Sequence, residues 1–377
     1  MQAALSSVPR AVLEHVIDVH CHPTDSDMGA TLQVVEEMPI RICAMATRGS
    51  DQRLVADLAR AQPEKVIPCF GFHPWFSHWI TLEPVASKEE HYRALFLPST
   101  PPPKQDLVDA FDRLLPYLPY PTPLAEVLLE LFEGLEAFPN AMLGEVGLDR
   151  ACRVPFSRPA EPPYSEYASS EGSDNNDCPR ELSPFTIPLE HQLRVLEAQL
   201  GVAVELQRNV SVHSVKAQAA TGELFDRMYK KHEDQWLRIS IDLHSCGLSA
   251  QSFSDISKKH SNVFLSLSTV INARSPAHKE LIASCAADRL LVESDFHDVR
   301  YAAPYTWNML RTVADVKGWR VEDAWDADVP EAQWGAVRRL EENWKAFERG
   351  CHKRYVKRRL RRDRAIEEWE ANNEESD

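Results

Sequence analysis

In the segment IDVHCH, Asp18, His20 and His22 stand at alternate positions of an apolar run. Successive side chains of a strand leave opposite faces, so the two imidazoles project together and Cys21 turns away. Two imidazoles on one face at the end of a strand make half a site for a divalent cation; a hydrogen-bonded pair of histidines near the surface is the other reading. Further along, LGEVGLD embeds Glu145 in an apolar run, where a carboxylate is costly unless it is paired or metal-bound. Gly144 and Gly147 flank it and allow a tight turn or a close approach of the backbone. His213 in NVSVHS and His244 in ISIDLHS each close an apolar run. RLLVESDFHD carries Glu293, Asp295, His297 and Asp298, and Asp295 falls where the apolar run stops. Taken singly, each has an ordinary structural explanation: a glutamate paired with an arginine, a satisfied core histidine. Taken together they are a donor set suited to divalent metal.

What would bring them together is the rhythm of the chain. Short apolar runs rich in β-branched residues predict eight strands: His15–His22, Arg41–Thr47, Lys65–His73, Ala141–Asp149, Asn209–Ser214, Leu237–Ser245, Val263–Val270 and Leu290–Asp295. Amphipathic patterns between them predict helices, among them Asp51–Ala61, Leu124–Ala137, Leu189–Gln207 and Pro276–Ala286. Strands alternating with helices imply a parallel sheet with crossover helices. Eight such units predict a closed TIM (β/α)8 barrel, in which the C-terminal strand ends converge on one site. All six candidate ligands are expected at such ends.

Two segments interrupt the rhythm. Residues 81–123 hold PSTPPPKQ and PYLPYPTP around a short helical piece; residues 152–188 include the polar, acidic RPAEPPYSEYASSEGSDNND. Both are expected as insertions in strand-to-helix loops, the second as the better candidate for disorder. A single barrel domain over residues 1–350 is then followed by a charged tail, 351–377, whose HKRYVKRRLRRDR precedes AIEEWEANNEESD. A solvated helix is the first reading of that tail; a nucleic-acid contact or a nuclear-localisation signal is the second.

The ordered landmarks DVHCH, GFHP, GEVGLD, SVHS, DLHS and LLVESD, with NWKAF (Asn343, Phe347) near the end, resemble the TatD-related metal-dependent hydrolases of the amidohydrolase-like barrels. The resemblance runs from about Val16 to Phe347, leaving out the insertions. It implies a phosphodiesterase or deoxyribonuclease acting on DNA with two divalent ions, of Mg²⁺, Mn²⁺ or Zn²⁺ type: one held by His20, His22, Glu145 and Asp295, the other by Glu145, His213 and His244, with Glu145 bridging. It makes Glu145 and Asp295 the catalytic pair, Asp295 accepting a proton from the attacking water. His73 of GFHP is then placed to bind a substrate phosphate, and Trp75 to stack on a base; a His-Pro corner is equally a structural cap.

The chain also departs from the family pattern, which carries an Arg two residues after the fifth-strand histidine where Val215 stands here. Lys216 is one residue out of register as a replacement, and Lys is not equivalent to Arg. SCGLS replaces the usual Phe-Ser-Gly-Ser after the sixth-strand histidine, and Phe296-His297 replaces the Pro after the terminal aspartate. Together with the insertions, these departures look like a divergent fungal branch. That branch implies another class of function, binding of a protein partner of the anaphase-promoting-complex type through the insertions or tail. Substrates from DNA to small phosphodiesters, and amide or ester hydrolysis as a separate chemistry, stay open.

Composition limits the remaining classes. A net charge of −15, from 57 acidic and 42 basic residues, argues against a broad positive surface that coats nucleic acid. Bound cations would supply positive charge locally for a phosphate-handling enzyme. Apolar residues make 44% and charged residues 26% of the 377, so a sizeable core is expected. The eight cysteines are scattered without a CxxC pair, as free thiols of a reducing compartment are. No run approaches the ~20 apolar residues of a membrane span, and the N-terminus has no secretory pattern. The expected setting is cytoplasm or nucleus, away from the membrane.

Overall fold

The computed structural model describes residues 5, 7–97, 100–164 and 181–354. Its centre is a sheet of eight parallel strands: β1 (Ile17–Cys21), β2 (Arg41–Met45), β3 (Val66–Phe70), β4 (Met142–Asp149), β5 (Val210–Val215), β6 (Ile241–Leu243), β7 (Val263–Ser268) and β8 (Leu290–Glu293). They pair in chain order. At the seam, Asp295 N–H donates to the His20 carbonyl and Ser294 N–H to the Asp18 carboxylate, each at 2.9 Å. The chain therefore folds as a TIM (β/α)8 barrel. Its crossover helices are α1 (Met28–Glu37), α2 (Gly49–Ala61), α3 (Leu124–Ala137), α4 (Leu189–Leu206), α5 (Gln218–His232), α6 (Ala250–Lys259), α7 (Ala277–Ser284) and α8 (Val299–Lys317). A further helix, α9 (Ala336–Arg349), follows.

The period of two along each strand sorts residues into two apolar layers. Ile42 and Ala44, like Val263, Leu265 and Leu267, pack in the large cluster with the helices. Cys43, Met45 and Phe264 join Ile67, Cys69, Met142 and Leu291 in a smaller inner cluster that Trp344 and Phe347 of α9 complete. Asn343 fixes α9 there, donating to the carbonyls of Ala287 and Leu290 at 2.8 Å each. Following the inner parity upward, the side chains turn polar: Ser211 and His213, Asp242 and His244, Ser266 and Ser268, Glu293 and Asp295. The same alternation that builds the apolar floor thus lines the mouth with donors.

Several expected boundaries move. The predicted sixth strand, Leu237–Ser245, is only three residues long, because Glu233–Arg238 forms a 3₁₀ turn that buries Trp236 and Leu237. An apolar run alone does not separate those two solutions. Thr269 and Val270 leave β7 for a short helix capped by the Ser268 hydroxyl. Glu145 and His213 do not sit at strand ends. Both lie inside strands, because the pairing of β4 with β5 continues through Gly147–His213 to Asp149–Val215.

The insertions are not simple loops. Helices Lys88–Phe96 and Gln105–Leu114 and the antiparallel pair Arg153–Pro155 with Leu182–Thr186 share a third apolar cluster, including Tyr92, Phe96, Phe111, Leu114, Val154 and Phe185. Burying a side chain of that size stabilises by about 1.5–3 kcal/mol, enough for the two insertions to pack as one layer. Residues 165–180, where disorder is expected, and 355–377 of the charged tail lie outside the described residues. Cys21, Cys43, Cys69, Cys152, Cys246, Cys285 and Cys351 are free thiols.

Candidate metal centre

The β4 carboxylate organises the site. Glu145 Oε1 lies 2.8 Å from His244 Nε2, 2.9 Å from His213 Nδ1 and 3.1 Å from His73 Nε2. Its other oxygen, Oε2, lies 3.3 Å from His22 Nε2 and 3.5 Å from His20 Nε2. Asp295 closes the second side, with Oδ1 3.6 Å from His22 and 3.9 Å from His20. Each oxygen of one carboxylate thus faces its own group of imidazoles.

Outer hydrogen bonds fix which ring nitrogen points inward, as the partners behind metal-ligating imidazoles do. His20 Nδ1 is 2.8 Å from the Ser211 hydroxyl, leaving Nε2 for the cavity. His213 turns Nε2 to Asp149 at 3.4 Å and keeps Nδ1 for Glu145. The Ser245 hydroxyl lies between two carboxylates, 2.8 Å from Asp295 Oδ2 and 2.7 Å from Glu293 Oε1, with one proton to share. Nitrogens also face each other across the cavity: His20 and His22 Nε2 at 3.2 Å, His244 Nε2 and His213 Nδ1 at 3.3 Å. Lone pairs aimed at common points in this way are satisfied together by a cation. Among the described residues, three groups have donor atoms within 4.8 Å of one another: His20, His22 and Glu145; His73, Glu145 and His213; His20, His244 and Glu293. Neutral imidazoles with carboxylates are a fitting donor set for a borderline divalent ion.

Electrostatics follow from crowding in a buried place. Burial alone would push Glu145 up, yet the imidazoles of His73, His244 and His20 hold it well below the usual carboxylate range. Asp295 is likewise held down against burial by His22, His244 and His20. In return Glu145 and Asp295 raise His22 well above an ordinary histidine, and Glu145 and Glu293 do so for His244, in both cases against burial. Burial lowers His73 to about 4. Asp18, desolvated at the β1–β8 seam, rises to about 7.

All six expected ligands meet here. His73 joins them, buried inside the cluster. Trp75 is 47% exposed and donates its indole N–H to Asp149 Oδ2 at 2.6 Å, its ring edge-on to His73. Lys216 is exposed, and no hydrogen bond or ion pair joins it to the cluster among the described residues. Asp149, Ser211, Ser245 and Glu293 escaped assignment from sequence. Period two would have found three of them, since Asp149 shares parity with Glu145, Ser211 with His213, and Glu293 with Asp295.

The family model for TatD related DNase matches residues 17–328. The chain belongs to that family. Among its relatives is Cut9-interacting protein scn1 of Schizosaccharomyces pombe, 31% identical over 346 residues, covering 82% of this chain and 95% of the relative. The uncharacterized deoxyribonuclease YMR262W of Saccharomyces cerevisiae is 24% identical over 342 residues, covering 89% and 99%. Among solved structures, the TatD homologue YJJV of Escherichia coli superposes with a TM-score of 0.53 at 16% identity, over 91% of this chain and all of that one. A TatD family hydrolase of Entamoeba histolytica gives 0.52 at 12%, over 88% and 97%. The barrel is thus of the metal-dependent hydrolase type. Among the described residues no helix is long and apolar enough to cross a membrane.

Proposed function

We propose that the protein is a divalent-metal-dependent phosphodiesterase acting on DNA or a small phosphodiester, with one ion held by His20, His22, Glu145 and Asp295 and a second by Glu145, His213 and His244. The observation that carries this reading is the split carboxylate of Glu145, whose two oxygens serve separate imidazole groups, the arrangement a bridging ligand needs. His73, at 3.1 Å from Glu145, is a candidate for the second group as well. When bound, such a pair of ions supplies a hydroxide near neutral pH and neutralises phosphoryl oxygens. Asp295, steadied by the Ser245 hydroxyl, accepts the proton of the attacking water, and Glu145 holds the imidazoles in register. Exposed Trp75 offers its face to a nucleobase.

Protein loaded with Mg²⁺, Mn²⁺ or Zn²⁺ is expected to cleave single- or double-stranded DNA or a chromogenic phosphodiester. Metal-replete protein that leaves every diester intact refutes the reading, and turnover of a carboxylic ester or amide instead would move it to acyl chemistry. Likeness to the Cut9-interacting relative favours a second role, docking of a protein partner in the cytoplasm or nucleus. Co-precipitation that survives His20→Ala and Asp295→Ala but is lost on removing residues 351–377 would support it.

A further inference from the structure

Among the described residues, Arg48 is the only lysine or arginine that is fully buried, at 2% exposure. It follows directly on β2, whose end is tied to the centre: the Ala46 carbonyl accepts from Glu145 N–H and the Thr47 carbonyl from His73 N–H, both at 2.8 Å. The guanidinium lies 4.5 Å from the centroid of Phe76, 5.5 Å from Tyr164 and 5.9 Å from Trp79. Phe76 in turn stands 6.5 Å from the ring of His73, and Asp25 feels the charges of Arg48, His22 and Glu145 together, so one layer of side chains separates this cation from the metal centre. Nη2 donates to the Tyr164 hydroxyl, while Nε and Nη1, which carry three of the five N–H groups, have no acceptor among the described residues. No carboxylate forms an ion pair with it among the described residues. Asp25 and Asp51 feel its charge, but Asp51 is engaged by the backbone N–H groups of Thr47 and Arg48 at 2.9–3.1 Å. A buried charge with unspent donors is costly, and it persists where a ligand supplies the acceptors.

We propose that Arg48 is an oxyanion subsite of this centre, donating its unspent N–H groups to the non-bridging oxygens of a substrate phosphate. Aromatic rings around it steady the cation without consuming the N–H groups of Nε and Nη1, which stay available to an anion. The identity of the anion rests on the phosphodiesterase reading; the subsite itself rests on Arg48.

The test titrates metal-loaded protein with inorganic phosphate in a calorimeter, for the natural chain, R48Q and R48K, with metal content measured on each. R48Q is expected to weaken phosphate roughly 10- to 100-fold, the worth of a hydrogen bond to a charged group. R48K recovers only part of it, because an ammonium is a point charge without the planar fork. With a chromogenic diester, KM is expected to rise more than kcat falls, a split that a merely structural arginine would not produce. R48Q that keeps its metal and binds phosphate within twofold of the natural chain overturns the proposal. Should R48Q not fold, R48K with undiminished phosphate affinity overturns it equally. A natural chain that binds phosphate through Arg48 yet cleaves no diester upholds the subsite and refutes the phosphodiesterase; diester cleavage untouched by R48Q does the reverse.

Discussion

Gly147→Ala is expected to disable the centre without replacing a single candidate ligand. Gly147 pairs with His213 across β4 and β5. A Cβ at this position would lie 2.0 Å from the His213 carbonyl oxygen and 2.7 Å from both its carbonyl carbon and its Cβ. Ordinary contact begins near 3.4 Å, so the two strands must part by about 1.4 Å, a shift larger than a close-packed interior absorbs freely. Overpacking of that kind costs about 1–3 kcal/mol. With an unfolding entropy near 2.1 cal/mol/K per residue, that lowers Tm of a chain this long by about 1–4 °C. The functional loss should be greater, because His213 would carry Nδ1 away from its 2.9 Å contact with Glu145, and misplacement by about 1 Å costs on the order of 100-fold in rate. Melting, metal content and diester turnover together read the outcome. Gly201→Ala is the control: nothing lies within 4 Å of its added Cβ, it sits inside α4, and it should gain about 0.5–1 kcal/mol. G147A with the turnover, metal content and Tm of the parent would refute the claim that β4–β5 contact sets the geometry of the centre.

Asn343→Ala should act on stability alone. It strands the carbonyls of Ala287 and Leu290, at about 1–3 kcal/mol, lowering Tm by about 1–4 °C while metal content stays unchanged; loss of metal would contradict this. Acid should loosen the insertion layer through His78, which burial, with repulsion from His191 and His91, lowers to about 3. The unfolded chain takes up that proton near pH 6.5 and the folded chain does not, so stability is whole above pH 6.5 and declines as pH falls toward 3. By pH 4 the loss is about 3 kcal/mol from this residue. Urea midpoints followed against pH should decline less steeply in His78→Gln, and an unchanged slope would count against the buried neutral histidine.

Much of the site was legible because one rule generated it. Alternation along strands placed His20 with His22 and carried the eye to strand ends, where a barrel gathers side chains from strands distant in sequence. The same rule, applied less fully, missed Asp149, Ser211 and Glu293. GFHP likewise gives no sign that the Thr47 carbonyl will hold the backbone of His73 and turn its ring onto Glu145. Arg48 was invisible for a different reason. An arginine in TRGS reads as surface, and only the insertion that brings Tyr164 beside it, together with Phe76 and Trp79, encloses it. The joint packing of the two insertions was hidden for the same cause: Pro-rich segments show no periodicity until Phe111 and Phe185 find each other.

Elemental analysis of the purified chain beside Asp295→Ala tests the centre most directly. Two divalent ions per chain, with at least one lost when Asp295 no longer faces His20 and His22, is the predicted result. A natural chain that binds no divalent metal under any condition would contradict it.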